Sequence, residues 1–513
     1  MAIVDPSEFD VVDNSEIIIG FVAAVGTPIT KVQEIVHQAL EERGYAVTDI
    51  RLSDLIETVE DHSEPLPVPP NEYERIKTLM DRGNALRERM NGGEVLAVVS
   101  VAHISDQRPE DEEVPALDGR AFLLCQLKHP DEVQLLRQIY GEAFHLVGVY
   151  SPESVRRETL ISDKNMKPDE AEDLIKRDQG EDFRLGQQLR DTFHLADVIV
   201  PLHEPADLAP VKTELDRYLS LIFLDQQDGI CSPTADEFGM YLAQSAAFRS
   251  ADLSRQVGAA ILSTRRDLIS VGCNEVPAAG GGQYWCDCEN DARDFKEGSD
   301  PNTRKKLEVL EEVLGVVEEG FSDLSADEKS QRVKVVAKRL GPTRMMNLTE
   351  FGRAVHAEME ALLSAGRNGT SVKGCTLYTT TFPCHNCAKH IVNAGISRVV
   401  YIEPYPRSLA MDHHEDALRL DEKGEQADRR VSVESFAGLA PRRFATIFSM
   451  LSATGEKYLR KAGDGEVLRS VLGLRTKAPA LNYMQREAVA HAALKAFLAR
   501  ERQMELDLEE ADS

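Results

Sequence analysis

No run of apolar residues in this chain of 513 approaches the ~20 that a membrane-spanning helix needs, so no membrane partner is expected. The opening stretch MAIVDPSEFD lacks the basic flank and apolar core of a secretion signal, and a cytoplasmic location follows as the expectation. Cysteine is sparse. Eight are scattered at 125, 231, 273, 286, 288, 375, 384 and 387, without the density of a secreted disulfide framework, so reduced thiols and metal ligation are the expected roles. Basic charge is short as well: 59 Lys and Arg stand against 87 Asp and Glu, a formal net charge of -28. That balance opposes long polyanions, whose affinity comes largely from cations neutralising phosphates. A free nucleotide needs only a few local arginines, so a small substrate is favoured over DNA or RNA. No internal repeat is present.

With 42% hydrophobic and 28% charged residues the chain has the composition of an ordinary globular protein, and its length suits two or three domains. The chemistry concentrates between residues 355 and 406. His356 and Glu358 stand two apart at the start of the Ala/Leu-rich segment V-H-A-E-M-E-A-L, which should be helical. Cys384 and Cys387 stand three apart, on one face of a helix, directly after Pro383. Proline is favoured at a first helical position, so Pro383 is expected to open that helix and to place both sulfurs at the positive end of its dipole. Such an environment suits thiolates holding a cation. Three protein donors leave the fourth position of Zn2+ to water, which the metal makes nucleophilic near neutral pH, and Glu358 is placed to move protons. The competing reading is a structural zinc site, which more often takes a fourth protein ligand and needs no carboxylate beside the histidine.

At the N-terminal end, Ile17-Ile18-Ile19-Gly20-Phe21 reads as a strand, Gly26-Thr27-Pro28 as a loop, and residues 29–43 as a helix. Strand, glycine loop and helix offer backbone N–H groups to phosphate, which makes Gly20, Gly26 and Thr27 the candidate nucleotide-binding residues. Five residues rather than four separate the two glycines, and Thr27-Pro28 stands where a phosphate-binding loop has its Lys and hydroxyl residue, so phosphoryl transfer is not expected. Strands are expected at 95–101, 121–127, 144–150 and 196–201 with helices between them, an α/β arrangement with a largely parallel sheet. The run around Arg156 and Arg157 resembles the later part of a nucleotide kinase fold, where lid arginines sit. Residues 202–211, with two prolines and a third just before them, read as an inter-domain connection.

H-x-E followed by P-C-x-x-C is the signature of the zinc nucleobase deaminases. The segments R-S-x-D (249–252), Q-V-G-A (256–259), the G-x-N-x-x-P containing Asn274, V-K-G-C-T-L-Y, F-P-C-H-N-C-A-K and A-G-I-S-R-V-V-Y resemble a deoxycytidylate deaminase over about residues 238–420. With the degenerate P-loop kinase-like region in front, the chain is similar to bacterial antiphage deoxycytidylate deaminases. The resemblance implies hydrolytic deamination of free deoxycytidine nucleotides, dCMP or dCTP, to deoxyuridine nucleotides and ammonia, depleting them during phage infection. It further implies that His356, Cys384 and Cys387 hold Zn2+, that Glu358 is catalytic, and that Asn274 contacts the sugar or base. Tyr405 would stack near the nucleotide, Arg249 would bind phosphate, and the enzyme would be a homo-oligomer. Two alternatives stay open: deamination of a polynucleotide, and an N-terminal module that senses a nucleotide, a protein or an inhibitory RNA and gates the enzyme.

The expected domains are therefore a P-loop kinase-like α/β domain over 1–230, a cytidine-deaminase-like α/β/α three-layer domain over 231–430, and a C-terminal extension over 431–513. A helical insertion interrupts the second at about 280–345. In it Leu307, Leu310, Leu314 and Val317 fall on one helical face, and Ser325 to Glu328 is a capping-box pattern. Cys286 and Cys288 read either as part of a second zinc site or as thiols in a turn. The extension should hold a helix over 483–502 and a solvated acidic tail.

Overall fold

The computed structural model describes residues 16–59, 69–108, 119–179, 186, 188–224, 231–341, 343, 345–404, 408–420, 429–451, 457–467 and 480–512. The chain divides into two compact units, Met1–Glu237 with Phe436–Ser513, and Phe238–Ser435. Among the described residues no helix is long and apolar enough to cross a membrane.

The first unit begins β1 (Ile17–Ala23), α1 (Ile29–Glu41), β2 (Ala46–Arg51), α2 (Leu52–Val59), α3 (Glu72–Met90), α4 (Val95–Asp106) and β3 (Arg120–Cys125). It continues through α5 (Pro130–Tyr140), β4 (Phe144–Tyr150), α6 (Glu153–Glu158), α7 (Pro168–Gln179), α8 (Leu189–Phe193), β5 (Val198–Pro201) and α9 (Ala209–Ile222). Every residue of β1 is buried. A strand covered on both faces shows an unbroken apolar run, and β1 lies parallel between β3 and β4. The apolar run 95–101, read as a strand from sequence, instead forms the body of α4. A short apolar run fits either element, and packing decides: Val95, Ala97, Val99, Val101 and Ile104 are all buried, with α2, α3 and α5 against the helix. Residues 202–211 connect β5 to α9 within this unit rather than joining two domains.

The second unit holds α10 (Ala235–Ala247), β6 (Gly258–Leu262), β7 (Leu268–Cys273), α11 (Asp294–Glu297), α12 (Pro301–Val317), α13 (Ala326–Leu340) and α14 (Ala357–Arg367). Then come β8 (Thr376–Thr381), α15 (His385–Ala394), β9 (Arg398–Glu403), α16 (Ala410–His413), β10 (Leu418–Leu420) and β11 (Val431–Ser435). The sheet order is β10-β11-β9-β8-β6-β7, antiparallel at the β7-β6-β8 end and parallel from β8 onward. In the insertion, Ser325 and Glu328 close the capping box of α13, and Leu310, Leu314, Phe321 and Val333 form a small core of their own. Val317 does not join that face and stays 70% exposed, because α12 ends there.

Phe436–Ser513 clusters with the first unit rather than standing apart as an extension. β12 (Gly438–Leu439) adds antiparallel to β5, giving the order β12-β5-β4-β1-β3-β2. After α17 (Pro441–Phe448), α18 (Ala480–Asp512) packs on α4 and α5. Arg108 binds both Glu16 (2.9 Å) and Glu487 (2.7 Å), and Tyr483 donates to Glu16, which ties α18 to the start of β1. α18 is longer at both ends than the 483–502 of the sequence reading and carries the acidic tail as helix.

Candidate active site

Two helix starts bring the three expected donors together. His356 is the N-cap of α14 and Cys384 the N-cap of α15, each with extended backbone, and Cys387 lies one turn into α15. Pro383 therefore stands just outside the helix, not at its first position, and the Cys384 sulfur accepts the Cys387 N–H at 3.4 Å. Both sulfurs lie 3.4 Å from His356 Nδ1, and the three donor atoms are all within 4.8 Å of one another. A tetrahedral ion with Zn–S of ~2.3 Å and Zn–N of ~2.0 Å separates such donors by about 3.5 Å, so the set fits zinc.

The sheet under α14 permits this placement. A Cβ on Gly272 would come within 2.3 Å of Ala357 O and 2.5 Å of Ala361 N, so only glycine in β7 lets the helix backbone lie directly on the strand. Sequence alone named this glycine only as part of G-x-N-x-x-P and did not show its packing role, since nothing in that segment announces the helix laid on it.

Glu358, in the first turn of α14, is 4% exposed and accepts from Cys387 Sγ at 3.4 Å. Burial, and then the charge on Cys384, raise its carboxyl above the usual range. Cys384 is pulled down to about 4, chiefly by the hydrogen bond from Cys387 and with help from His356. Cys387 is pushed well up by that same bond and by burial, and His356 is raised mainly through its bond with Cys384. Ligation of a divalent cation by these thiols would displace their protons.

His356, Glu358 and Cys384 open on a cavity of about 200 Å³, while Cys387 is buried beside them. Asn274, Thr381 and Phe382 line it, as do Asp300, Asn302 and Arg353, which the sequence reading did not single out. Arg353 stands three residues before His356, close enough to the motif to have been noticed; it is held by Asp294 and Glu297, each at 2.9 Å. The Asn274 amide accepts the Val257 N–H (2.7 Å) and donates to Arg255 O (2.8 Å), so it shapes the cavity wall. Arg249 is not part of that lining. Its guanidinium stacks on Trp285 at 3.7 Å and donates to Gln283 Oε1 (2.6 Å) and Tyr284 O (2.9 Å), tying the start of the insertion to the strand end. Tyr405 lies outside the described residues. Cys286 is exposed, Cys288 accepts the Trp285 N–H, and neither joins a three-donor group among the described residues.

Gly20, Gly26 and Thr27 belong to the other unit. A Cβ on Gly20 would come within 2.6 Å of Leu127 Cδ1, so packing accounts for that glycine. Gly26 has φ of +84° and its Cβ position falls 2.6 Å from Arg156 O. Thr27 is buried, and its hydroxyl has no partner.

Three protein donors beside a buried acid that is not among them define a zinc site with a position left for reaction. Residues 233–403 match the family model of the cytidine and deoxycytidylate deaminase zinc-binding region, and Zn2+ is accordingly the metal of this site. The chain is 48% identical over 54 residues to the deoxycytidylate deaminase of enterobacteria phage T2, covering 10% of this chain and 29% of that protein. It is 25% identical over 166 residues to the human deoxycytidylate deaminase, covering 32% and 63%. The chain thus spans less than a third of the phage relative. A solved dCMP deaminase from cyanophage S-TIM5, in complex with dCMP and dUMP, aligns at 18% identity and a TM-score of 0.23, covering 40% of this chain and all of that one.

Proposed function

We propose that the protein is a zinc-dependent deaminase of free deoxycytidine nucleotides, releasing the deoxyuridine nucleotide and ammonia. The observation that carries this is the buried Glu358 carboxyl beside the His356, Cys384 and Cys387 cluster, with Glu358, His356 and Cys384 lining one cavity. His356, Cys384 and Cys387 hold the metal, which when bound supplies Lewis acidity and a water acidified to near neutral pH. Glu358 takes one proton of the attacking water and delivers it to the pyrimidine ring nitrogen as the C4–O bond forms, then carries the second, from the new C4 hydroxyl, to the amino group that leaves as ammonia when the C4–N bond breaks. Its raised pKa suits a group that must both hold and give up that proton.

The phage and human relatives are named for deoxycytidylate, which supports dCMP over dCTP. The antiphage role and the homo-oligomer rest on the resemblance of the motifs alone. The charge of -28 counts against a polynucleotide substrate. Offering dCMP, dCTP, CMP and single-stranded DNA to the purified protein, with zinc measured alongside, tests the reading. Conversion of dCMP is expected, and conversion of DNA alone would overturn it.

A further inference from the structure

The first unit carries the strand, glycine loop and helix from which nucleotide binding is expected, and the structure fills it. β1 ends at Ala23, the Thr27 N–H returns to Ala24 O at 3.0 Å, and α1 starts after Pro28 with no side-chain cap and no acidic residue in its first turn. In open parallel sheets ligands bind beyond the carboxyl ends of the strands, where this loop lies. Three side chains from elsewhere converge on it. Asp178, at the end of α7 and fully buried, accepts the Val25 N–H at 2.6 Å through Oδ2 and the Lys128 ammonium at 2.7 Å through Oδ1. Lys128 also donates to Ala23 O (2.8 Å). Arg156 of α6, 7% exposed, donates to Val25 O (3.3 Å) and Ser151 O (3.2 Å).

We infer that residues 23–28 form an anion seat closed by the chain's own carboxylate: Asp178 stands where a phosphate oxygen would bind, so the first unit takes no nucleotide phosphate while Asp178 is in place. A carboxylate oxygen receiving one backbone N–H and one ammonium makes the contacts that a phosphate oxygen makes at such a loop. The plain alternative is an ion pair that pins α7 and nothing more. A pinning pair needs one cation, and here a second, Arg156, sits on the same loop: among the described residues it bonds only to main-chain oxygens, while its neighbour Arg157 takes Glu153 and Glu172. Around the same loop the hydroxyls of Thr27 and Ser151 are buried without a partner among the described residues. Buried polar groups are nearly always satisfied, so a donor surplus at one spot marks a place shaped for more negative charge than Asp178 supplies.

The test uses the full-length, zinc-loaded protein and two probes, inorganic pyrophosphate and ATP, titrated calorimetrically into wild type, Asp178→Ala, Asp178→Asn and the double variant Asp178→Ala/Lys128→Ala. Wild type should bind both probes only weakly. Asp178→Ala should bind pyrophosphate about 10- to 100-fold more tightly than wild type, the worth of one charge-assisted hydrogen bond. The double variant should lose that gain, because the seat then lacks its ammonium. Asp178→Asn keeps size and removes charge, and should show a smaller gain; it carries the test if the alanine variant does not fold. Wild-type binding as tight as that of Asp178→Ala would overturn the inference, as would folded Asp178 variants that bind no better than wild type.

Discussion

The protein presents two places where helix starts meet strand ends, and they differ in what occupies them. In the second unit, His356 and Cys384 stand at the N-cap positions of α14 and α15, with side chains that face one another and a cavity of about 200 Å³. In the first, α1 has no side-chain cap, and the loop before it is engaged by Asp178 and Lys128. Local chain geometry makes a site possible in both. What separates them is whether the functional groups remain available or are spent on the protein itself, and that depends on residues distant in sequence: 153 positions separate Val25 from Asp178.

The comparison breaks most completely if the metal donors are not essential. Cys384→Ala or Cys387→Ala should release zinc and reduce deamination to background, read by metal analysis and product assay on the same sample; full zinc in both variants sinks the ligand assignment. Next in size, Glu358→Gln should keep zinc and fold but lose about 10²–10⁴-fold in turnover, because a proton-transfer group has gone and no ligand has. Near-normal turnover there would remove the mechanism. A smaller loss is expected from Gly272→Ala: a Cβ pressed against the α14 backbone should cost at least about 1–3 kcal/mol in urea unfolding and lower activity as His356 and Glu358 shift. The smallest effect belongs to Arg249→Ala. Loss of the Trp285 stack and the Gln283 bond should cost about 1–2 kcal/mol of stability, with KM for dCMP changed less than about tenfold, since a lost phosphate contact would cost about 10- to 100-fold.

The same divide explains what was legible in the sequence. The grouping of His356, Glu358, Cys384 and Cys387 could be anticipated because each pair sits within one turn of a helix start, and local spacing sets its geometry. β1 was legible because an unbroken β-branched run between turn residues suits a doubly covered strand. Where distant partners decide, the reading failed. The run 95–101 became a helix because α2, α3, α5 and α18 surround it. Arg249 turned to Trp285 in the insertion, a partner that its R-S-x-D context does not announce. The residues after 435 returned to the first sheet through a two-residue strand, too short to show any alternation. The roles of the insertion's Asp300 and Asn302 in lining the cavity depend in the same way on how a separate helical layer folds.

The most direct measurement is a paired assay of wild type and Glu358→Gln, both zinc-loaded, incubated with dCMP while dUMP and ammonia are quantified together. The account predicts one ammonia per dUMP from wild type and neither above background from the variant at equal zinc content. Equal dUMP formation by the two proteins, or none by zinc-loaded wild type, would contradict it.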